Sequence, residues 1–289
     1  FETNNKSLVF FKNSIIVIII GVFTRLSVYF FNLSIDVFIF IHSIEIFLYL
    51  LFNLISIKKD FLNIKPKFNK NIIKKVSYFG FASIAFIIVG NIDQVMLKYF
   101  YNDTVVGTYS LAYKLILLLY LFLTPLSNGV FKKLKATIND YKLWEALLSI
   151  NFLIGLIFIL LYFSIGRFIL LGFLSDEFFE SIKYLDTLIF IIPFFISTIP
   201  IGKWLLLKNQ GKIFFKRAFI SIFINLILNL IFIQYFNEIG VVYGTICTYL
   251  WLSVISIFIE PELIDLKRCY INSLKNIFMV KKNLKKIYE

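Results

Sequence analysis

Long apolar runs recur along the whole chain and are separated by short polar clusters. Hydrophobic residues make up 60% of the 289 residues, whereas soluble domains contain about 45–50%. Each run is about twenty residues long, which is the length that an α-helix needs to cross a bilayer. The apolar windows are 8–31, 33–57, 72–100, 103–131, 145–171, 184–207, 214–236 and 239–259. The sequence therefore predicts a polytopic membrane protein with about eight spans.

The windows favour helices over barrel strands. A segment in lipid must satisfy its backbone hydrogen bonds within a helix or a closed barrel. Barrel strands alternate apolar and polar residues, and the run "IIVIIIGVF" at 15–23 does not alternate. The predicted fold class is all-α, a transmembrane helix bundle.

Basic residues concentrate in every second connection between the windows, which predicts the orientation. The base-rich segments are 58–75, 132–142, 208–217 and 267–286, and the base-poor connections are 31–34, 172–183 and 236–239. Because base-rich connections stay in the cytoplasm, we expect both ends of the chain there. The predicted location is the inner (cytoplasmic) membrane, as a multi-pass protein in contact with membrane lipids. The net charge of +13 follows from this pattern, so no nucleic-acid partner is expected.

The segment from Glu262 onwards has a different pattern. Its apolar residues recur at helical spacing, with the bases mostly between them; they are Leu263, Leu266, Tyr270, Leu274, Ile277 and Phe278. This spacing predicts an amphipathic helix that lies on the inner leaflet. A disordered basic tail is the alternative.

The sequence lacks the signatures of soluble enzymes. It has no glycine–lysine phosphate loop, no HExxH pair and no GxSxG turn. One histidine and two cysteines, Cys247 and Cys269, have no metal-ligand or CxxC spacing. We expect a protein that is not an enzyme, without catalytic residues, metal site or cofactor.

Ionisable residues inside the first two windows are candidates for function, because a charge at a helix centre costs about 2.5–3.5 kcal/mol on insertion scales. Arg25 and Asp36 lie on either side of a short connection and are expected to pair. His42 and Glu45 follow at positions i and i+3, so they share a helix face. A purely structural ion pair and a packed histidine are the alternatives.

The third and fourth windows hold three further charged candidates. Asp93 and Lys98 lie near the outer end of the third window, where a lysine can extend its ammonium to the interface. Lys114 lies close to the predicted bilayer centre, farther from either interface than its side chain reaches. It therefore needs a carboxylate, a water-filled cavity or an anionic ligand, and we favour a cavity role.

The sixth window contains Pro193, Pro200 and Gly202 within ten residues. Proline removes a helical hydrogen bond and kinks a helix, and in transporters such breaks often line the transport pathway. A tolerated kink without a role in transport is the alternative.

One stretch of the sequence resembles a known family. "NIDQVMLKYFYNDTVVGTYSLAYKL" at 91–115 is similar to the seventh and eighth helices of bacterial polysaccharide (O-antigen-type) flippases. These belong to the multidrug/oligosaccharidyl-lipid/polysaccharide exporter superfamily. The similarity consists of Asp93-Gln94, a polar turn at Asn102-Asp103 and the segment 106–112, "VGTYSLA". The opening "FETNNKSLVFFKNSI" also resembles the segment that begins the family's fifth helix.

The resemblance implies a two-lobe transporter of twelve helices, of which this chain holds helices five to twelve. Residues 1–57 would then be the last two helices of the first lobe, and 58–71 a basic cytoplasmic linker. Residues 72–259 would form the six-helix second lobe and 260–289 a basic cytoplasmic tail. About four N-terminal helices would be missing.

The resemblance also implies a function. The expected activity is the flipping of lipid-linked (polyprenyl-pyrophosphate) oligosaccharide repeat units by alternating access, without a covalent step. Lys114 and Arg25 are the expected substrate-binding residues, since the pyrophosphate or an acidic glycan attracts cations. Asp93 and Asp36 are expected to be structural, while His42 and Glu45 are candidates for coupling to protons or sodium.

Two other functions remain open. A multidrug/cation antiporter of the same superfamily needs carboxylates in its lobe cavities, and Asp93 and Asp186 both lie nearer the outer ends of their windows. Peptidoglycan-precursor flippases are further relatives. A membrane glycan polymerase needs a catalytic pair, and Arg25 and Arg167 lie far apart in the sequence, with little room in the outer connections.

Overall fold

The computed structural model describes residues 7–31, 33–62 and 70–279, and every regular element among them is helical. The predicted all-α class is confirmed for these residues. The α-helices are α1 (Ser7–Phe30), α2 (Ile35–Leu62), α3 (Lys70–Phe100), α4 (Asp103–Gly129), α5 (Phe131–Ala136), α6 (Tyr141–Leu161), α7 (Arg167–Phe173), α8 (Glu180–Leu188), α9 (Ile192–Leu207), α10 (Gly211–Phe236), α11 (Gly240–Leu250), α12 (Ser256–Ile259) and α13 (Ile264–Lys275). Half of the predicted linker 58–71 and the last ten residues of the predicted tail lie outside the described residues.

Among the residues that the structure describes, five segments are long and apolar enough to cross a membrane, so the chain is a helical membrane protein. They are Asp36–Ser56, Ile73–Phe100, Tyr141–Phe173, Asp176–Leu207 and Gly211–Ile259. The last of these contains α10, α11 and α12, and a 3₁₀ turn at Asn237–Ile239 joins α10 to α11. The number of eight spans, the cytoplasmic ends and the two-lobe arrangement remain predictions.

The chain divides into two compact units, 1–69 and 70–289. In the first unit α1 and α2 form an antiparallel hairpin. Near the start of α1, the Asn13 amide donates to Asn53 Oδ1 at 3.1 Å and to Ser56 Oγ at 3.0 Å. Near its other end, a Cβ at Gly21 would lie 2.6 Å from Glu45 Oε1, so a larger residue at this position would displace the Glu45 carboxylate.

The second unit is held together by close helix contacts at small residues. Ala82 and Ala85 of α3 are buried against Ala218 of α10. On the other side of α10, a Cβ at Gly244 of α11 would lie 1.8 Å from Asn229 Oδ1. Within a bilayer, helices associate through this kind of close packing rather than through a hydrophobic driving force. The sequence of contacts places α10 between α3 and α11.

Several helices of the second unit are interrupted. A 3₁₀ turn at Ile189–Ile191 ends α8 and precedes Pro193, while Pro200 lies inside α9. The predicted irregularity of this window is therefore present. Two π-helical segments, Tyr162–Gly166 and Trp251–Ile255, have no proline and were not indicated by the sequence.

The tail forms the predicted helix, but its apolar face packs on protein. Leu263, Leu266 and Tyr270 are buried with residues of α6 and α9. Ser149 of α6 donates to the Ser273 carbonyl at 2.8 Å. The buried residues of α6 begin at Leu143, near its N-terminal end, so the first turns of α6 cover this face of the tail helix. The covered face therefore does not meet the leaflet.

Candidate functional site

A cavity of about 910 Å³ opens among the helices of the second unit. Its walls come mainly from α3, α4 and α9, with single residues from α10 and α11. The lining residues are Phe79, Ser83, Phe86, Ile87, Gly90, Asn91, Gln94, Tyr113, Lys114, Leu117, Phe195, Thr198, Ile199, Gly202, Lys203, Leu206, Phe214 and Tyr249. Its volume falls in the range of about 300–1,000 Å³ that is usual for ligand sites.

Lys114 lines this cavity. It lies eleven residues after Asp103, the first residue of α4, or about 16 Å along the helix. No ion pair joins its ammonium to a carboxylate within the part of the chain that the structure describes. The side chain thus faces the cavity with its charge available for an anionic group.

Lys203 lines the same cavity near the end of α9. A lysine near the inner end of an apolar window is commonly an interfacial anchor, so the sequence alone does not single out Lys203. Two lysines on two helices therefore contribute positive charge to one cavity. No acidic side chain belongs to its described lining.

Polar residues of α3 form one wall of the cavity. Ser83, Asn91 and Gln94 lie at positions i, i+8 and i+11 and so follow one helix face. Amide and hydroxyl groups of this kind bind the hydroxyl groups of a polar ligand. The sequence interpretation missed these residues, although their helical spacing within an apolar window was a usable signal.

Aromatic rings supply much of the remaining wall. The Phe214 ring lies 5.6 Å from the Phe79 ring and 5.5 Å from the Phe86 ring, centroid to centroid. The Phe195 ring contacts Tyr249 edge to face at 4.9 Å. These rings present flat apolar surfaces beside the lysines and amides, so the cavity suits a ligand with both charged and apolar parts.

Asp93 lies in the protein interior and does not line the cavity. Its carboxylate is 2% exposed and accepts three hydrogen bonds. Tyr109 Oη donates at 2.5 Å, Asn229 Nδ2 at 2.6 Å and Thr245 Oγ1 at 2.5 Å. Residues of α3, α4, α10 and α11 thereby meet at one carboxylate.

Tyrosine side chains separate this cluster from the cavity. The Tyr113 ring stacks on Tyr109 with centroids 6.2 Å apart. Its hydroxyl lies 3.2 Å from that of Tyr249, and both Tyr113 and Tyr249 line the cavity. One layer of phenol groups therefore separates the carboxylate of Asp93 from the cavity.

In the first unit Arg25 pairs with Glu45, and the predicted pair with Asp36 is not formed. Arg25 Nη2 donates to Glu45 Oε2, and His42 Nδ1 lies 3.3 Å from Arg25 Nη2 and 3.4 Å from Glu45 Oε2. Helical side chains tilt towards the N-terminus of their own helix. In an antiparallel hairpin Arg25 and Glu45 consequently tilt towards each other, whereas Asp36 tilts out of the hairpin.

Other charged residues of the spans also have partners. Lys98 forms an ion pair with Asp103 across the short turn between α3 and α4, as its predicted position at the helix end allows. Arg167 Nε donates to both carboxylate oxygens of Asp186 at 3.1 Å, and Tyr162 Oη donates to Asp186 Oδ1 at 2.6 Å.

Arg217 of α10 is a buried charge that the sequence interpretation missed. It is 3% exposed. Its Nε donates to Ser256 Oγ at 2.7 Å, and its Nη2 donates to the Leu252 carbonyl. Because Arg217 lies about two turns from a predicted cytoplasmic helix end, it was grouped with the bases of the cytoplasmic connection 208–217.

The described residues contain no cluster of His, Cys, Asp and Glu that could hold a metal ion. Their cavity combines an unpaired lysine ammonium, amides and aromatic rings, so it can bind a ligand but offers no catalytic pair among its lining residues.

Comparisons with known proteins give one match. Residues 4–132 match a family described as "Polysaccharide biosynthesis protein". No curated protein and no solved structure matches the chain significantly. The matched region includes the whole of α3 and α4, with Asp93 and Lys114, and it supports a polysaccharide biosynthesis or exporter family.

Proposed function

We propose that this chain is part of a transporter that flips lipid-linked (polyprenyl-pyrophosphate) oligosaccharide repeat units across the cytoplasmic membrane for surface polysaccharide synthesis. The lipid tail stays in the bilayer while the sugar head group crosses through a cavity by alternating access. The similarity of residues 4–132 to polysaccharide biosynthesis proteins supports the substrate class.

The observation that carries this proposal is Lys114 in the cavity of the second unit. A pyrophosphate has several anionic oxygens that accept charge-assisted hydrogen bonds from an ammonium. Asn91 Nδ2 donates to the Ile87 carbonyl, so its Oδ1 and the Gln94 amide are available for sugar hydroxyls, and the rings of Phe86 and Phe214 for apolar faces. Arg25 is a second substrate-binding candidate, but its guanidinium already pairs with Glu45.

Replacing Lys114 by alanine tests the proposal in cells whose surface polysaccharide depends on this protein. A hydrogen bond to a charged group contributes about 1.5–3 kcal/mol, so we expect Lys114→Ala to lower the transport rate by about 10- to 100-fold. Lys114→Arg keeps the positive charge and should retain more activity. The measurements are surface glycan per cell and the amount of inserted protein.

Lys98→Ala is the matched control, because it removes a lysine from an exposed ion pair outside the cavity. It should leave the surface glycan near the wild-type amount. Normal glycan in the Lys114→Ala strain, at normal protein levels, would remove Lys114 from the mechanism and with it the main support for the proposal.

The cavity lining also discriminates between the exporter and the cation antiporter. Organic cations bind to carboxylates or to aromatic faces. The described lining has aromatic rings but no acid, and its two lysines repel a cation. We therefore favour the exporter. Binding of a cationic dye to the purified protein, competed by protons or sodium, would support the antiporter instead.

A membrane polymerase and a flippase can be distinguished by the intermediate that accumulates when the protein is removed. In a strain without a flippase, lipid-linked repeat units collect on the cytoplasmic leaflet. In a strain without a polymerase, the repeat units are flipped but are not polymerised. Each arginine named for the enzymatic alternative, Arg25 or Arg167, is already bound to a carboxylate, so we expect unflipped units.

A further inference from the structure

After its apolar face has packed on α6, helix α13 still exposes a second face. Ile264, Arg268, Ile271 and Lys275 recur at i, i+4, i+7 and i+11, which forms one stripe along the helix. Leu274 lies beside the stripe and Phe278 follows it, with the Phe278 side chain 80% exposed. The helix therefore presents large apolar groups and bases together, on the side away from α6.

This exposed face lies next to exposed apolar residues at the end of Gly211–Ile259, the last segment that can span a membrane. Phe258 and Ile259 of α12 are exposed apolar residues in a segment that can span a membrane. Lys267 Nζ lies 5.0 Å from the centroid of the Phe258 ring. Helix α13 thus begins where the apolar surface of the bundle ends, at the depth where phospholipid headgroups lie.

The charge on this face is positive. Lys267, Arg268 and Lys275 are the bases of α13, and its acid, Asp265, accepts a hydrogen bond from Tyr141 Oη at 2.8 Å. The sequence continues with four more lysines, at positions 281, 282, 285 and 286. A helix that carries bases among large apolar residues at the membrane boundary has the composition of an interfacial helix that binds anionic lipids.

We propose that the exposed face of α13 binds anionic phospholipid headgroups, with Ile271, Leu274 and Phe278 in the headgroup–acyl boundary. Leu274 and Phe278 belong to the face that the sequence pattern indicated, whereas Leu263, Leu266 and Tyr270 of that pattern are buried in the protein. Helix α13 is fixed to α6 by the Ser149–Ser273 contact and by Asn272, whose amide donates to Glu145 Oε1 at 2.7 Å. Lipid binding at α13 therefore holds the start of α6 at the membrane surface.

The test is the labelling rate of a single thiol on this face. The full chain carries Leu274→Cys in a Cys247→Ala, Cys269→Ala background and is placed in nanodiscs of phosphatidylcholine, with or without phosphatidylglycerol. With the anionic lipid, we expect a water-soluble maleimide to react on the order of tenfold more slowly, because each base near such a surface adds attraction. Added salt should restore the rate.

Two comparisons make the result specific. The triple variant Lys267→Gln, Arg268→Gln, Lys275→Gln changes three side chains outside the core, so it should fold and lose the effect of lipid charge. The control Ala136→Cys, exposed at the end of α5, should react equally fast in both lipids. Equal rates for Leu274→Cys in both lipids, protection that survives the triple substitution, or equal slowing of Ala136→Cys would each overturn the proposal. The test does not depend on transport, so it stands apart from the proposed function.

Discussion

Asp93 joins four helices through one side chain. Its three donors come from Tyr109, Asn229 and Thr245, and no base of the described chain pairs with it. A buried carboxylate without a counter-ion depends on such hydrogen bonds, because burial removes its hydration. We therefore expect the cluster around Asp93 to be required for the structure of the second unit.

We expect Asp93→Ala to destabilise the protein much more than Asp93→Asn. Alanine leaves up to three buried donors without an acceptor, at about 1–3 kcal/mol each. Asparagine keeps one carbonyl oxygen for Asn229, and the hydroxyls of Tyr109 and Thr245 can rotate to accept its amide. Thermal unfolding of the purified protein in detergent measures the difference.

The same pair of variants separates a structural role from ion coupling. If Asp93 only holds helices together, Asp93→Asn transports at a rate near that of the wild type. A stable Asp93→Asn protein that no longer transports would show that the ionisable group itself is needed. Equal stability of Asp93→Ala and the wild type would contradict the structural role.

Sequence reasoning at this scale identified the charged residues but not their partners. Asp93 was recognised as an intramembrane acid, yet Asn229 and Thr245 lie 136 and 152 residues away, and no local pattern connects them. For Arg25 it chose Asp36, the acid nearest to the connection. In the packed hairpin, the tilt of the side chains on both helices brings Arg25 to Glu45 instead. This pairing can be predicted only when the packing of the hairpin is known.

At the scale of elements, the contact between α6 and α9 depends on Gly155. A Cβ at this position would lie 2.6 Å from Pro193 Cα and 2.9 Å from Pro193 N. These are backbone atoms of Pro193 itself, so they cannot move aside as a flexible side chain would. The two helices consequently approach closely only because residue 155 is a glycine.

We expect Gly155→Leu to separate α6 from α9 and to lower the unfolding temperature strongly, since overpacking a close contact typically costs 1–3 kcal/mol or more. The matched control is Gly80→Ala in α3, where a Cβ meets nothing within 4 Å. That change should be neutral or slightly stabilising, because alanine is the better helix former. A Gly155→Leu protein as stable as the control would show that the contact is not important.

The packing of α13 also predicts the chemistry of Cys269. The thiol is buried against α6, and burial, together with nearby Glu145 and Asp265, raises its pKa to about 12. Maleimides react with the thiolate, whose fraction at any pH falls as the pKa rises. In a Cys247→Ala protein, labelling should therefore stay slow from neutral to mildly alkaline pH and become fast on denaturation. Fast labelling of the native protein near neutral pH would mean that α13 is not docked.

Helix positions were more predictable than helix details. The windows 72–100 and 214–236 correspond to α3 at 70–100 and α10 at 211–236, because polar clusters mark the ends of apolar runs. The π-helical segments depend on packing rather than composition. The tail helix and its apolar residues Leu263, Leu266 and Tyr270 were predicted, but their packing on protein was not, since the surface of α6 that they meet is distant in the sequence.

For the whole molecule, composition was enough to predict a helical membrane protein, and the resemblance at 91–115 lies within the region that matches polysaccharide biosynthesis proteins. Lys114 lines a cavity, and its role there stays a prediction. The expected chamber lay between two lobes, whereas this cavity is formed by helices of the second unit alone. Its shape depends on residues from five helices, which a single sequence does not bring together.

The cluster around Asp93 also has a consequence for how the protein is made. A ribosome that adds about 5–20 residues per second reaches Thr245 roughly 8–30 seconds after Asp93, as the two are 152 positions apart. During that interval α3 has emerged with a carboxylate whose later donors, Asn229 and Thr245, have not yet been synthesised. The nascent chain must therefore keep α3 close to water or to the insertion machinery until α10 and α11 are synthesised. A chain that stops before residue 245 lacks the Thr245 donor, and its α3 stays accessible to quality-control proteases.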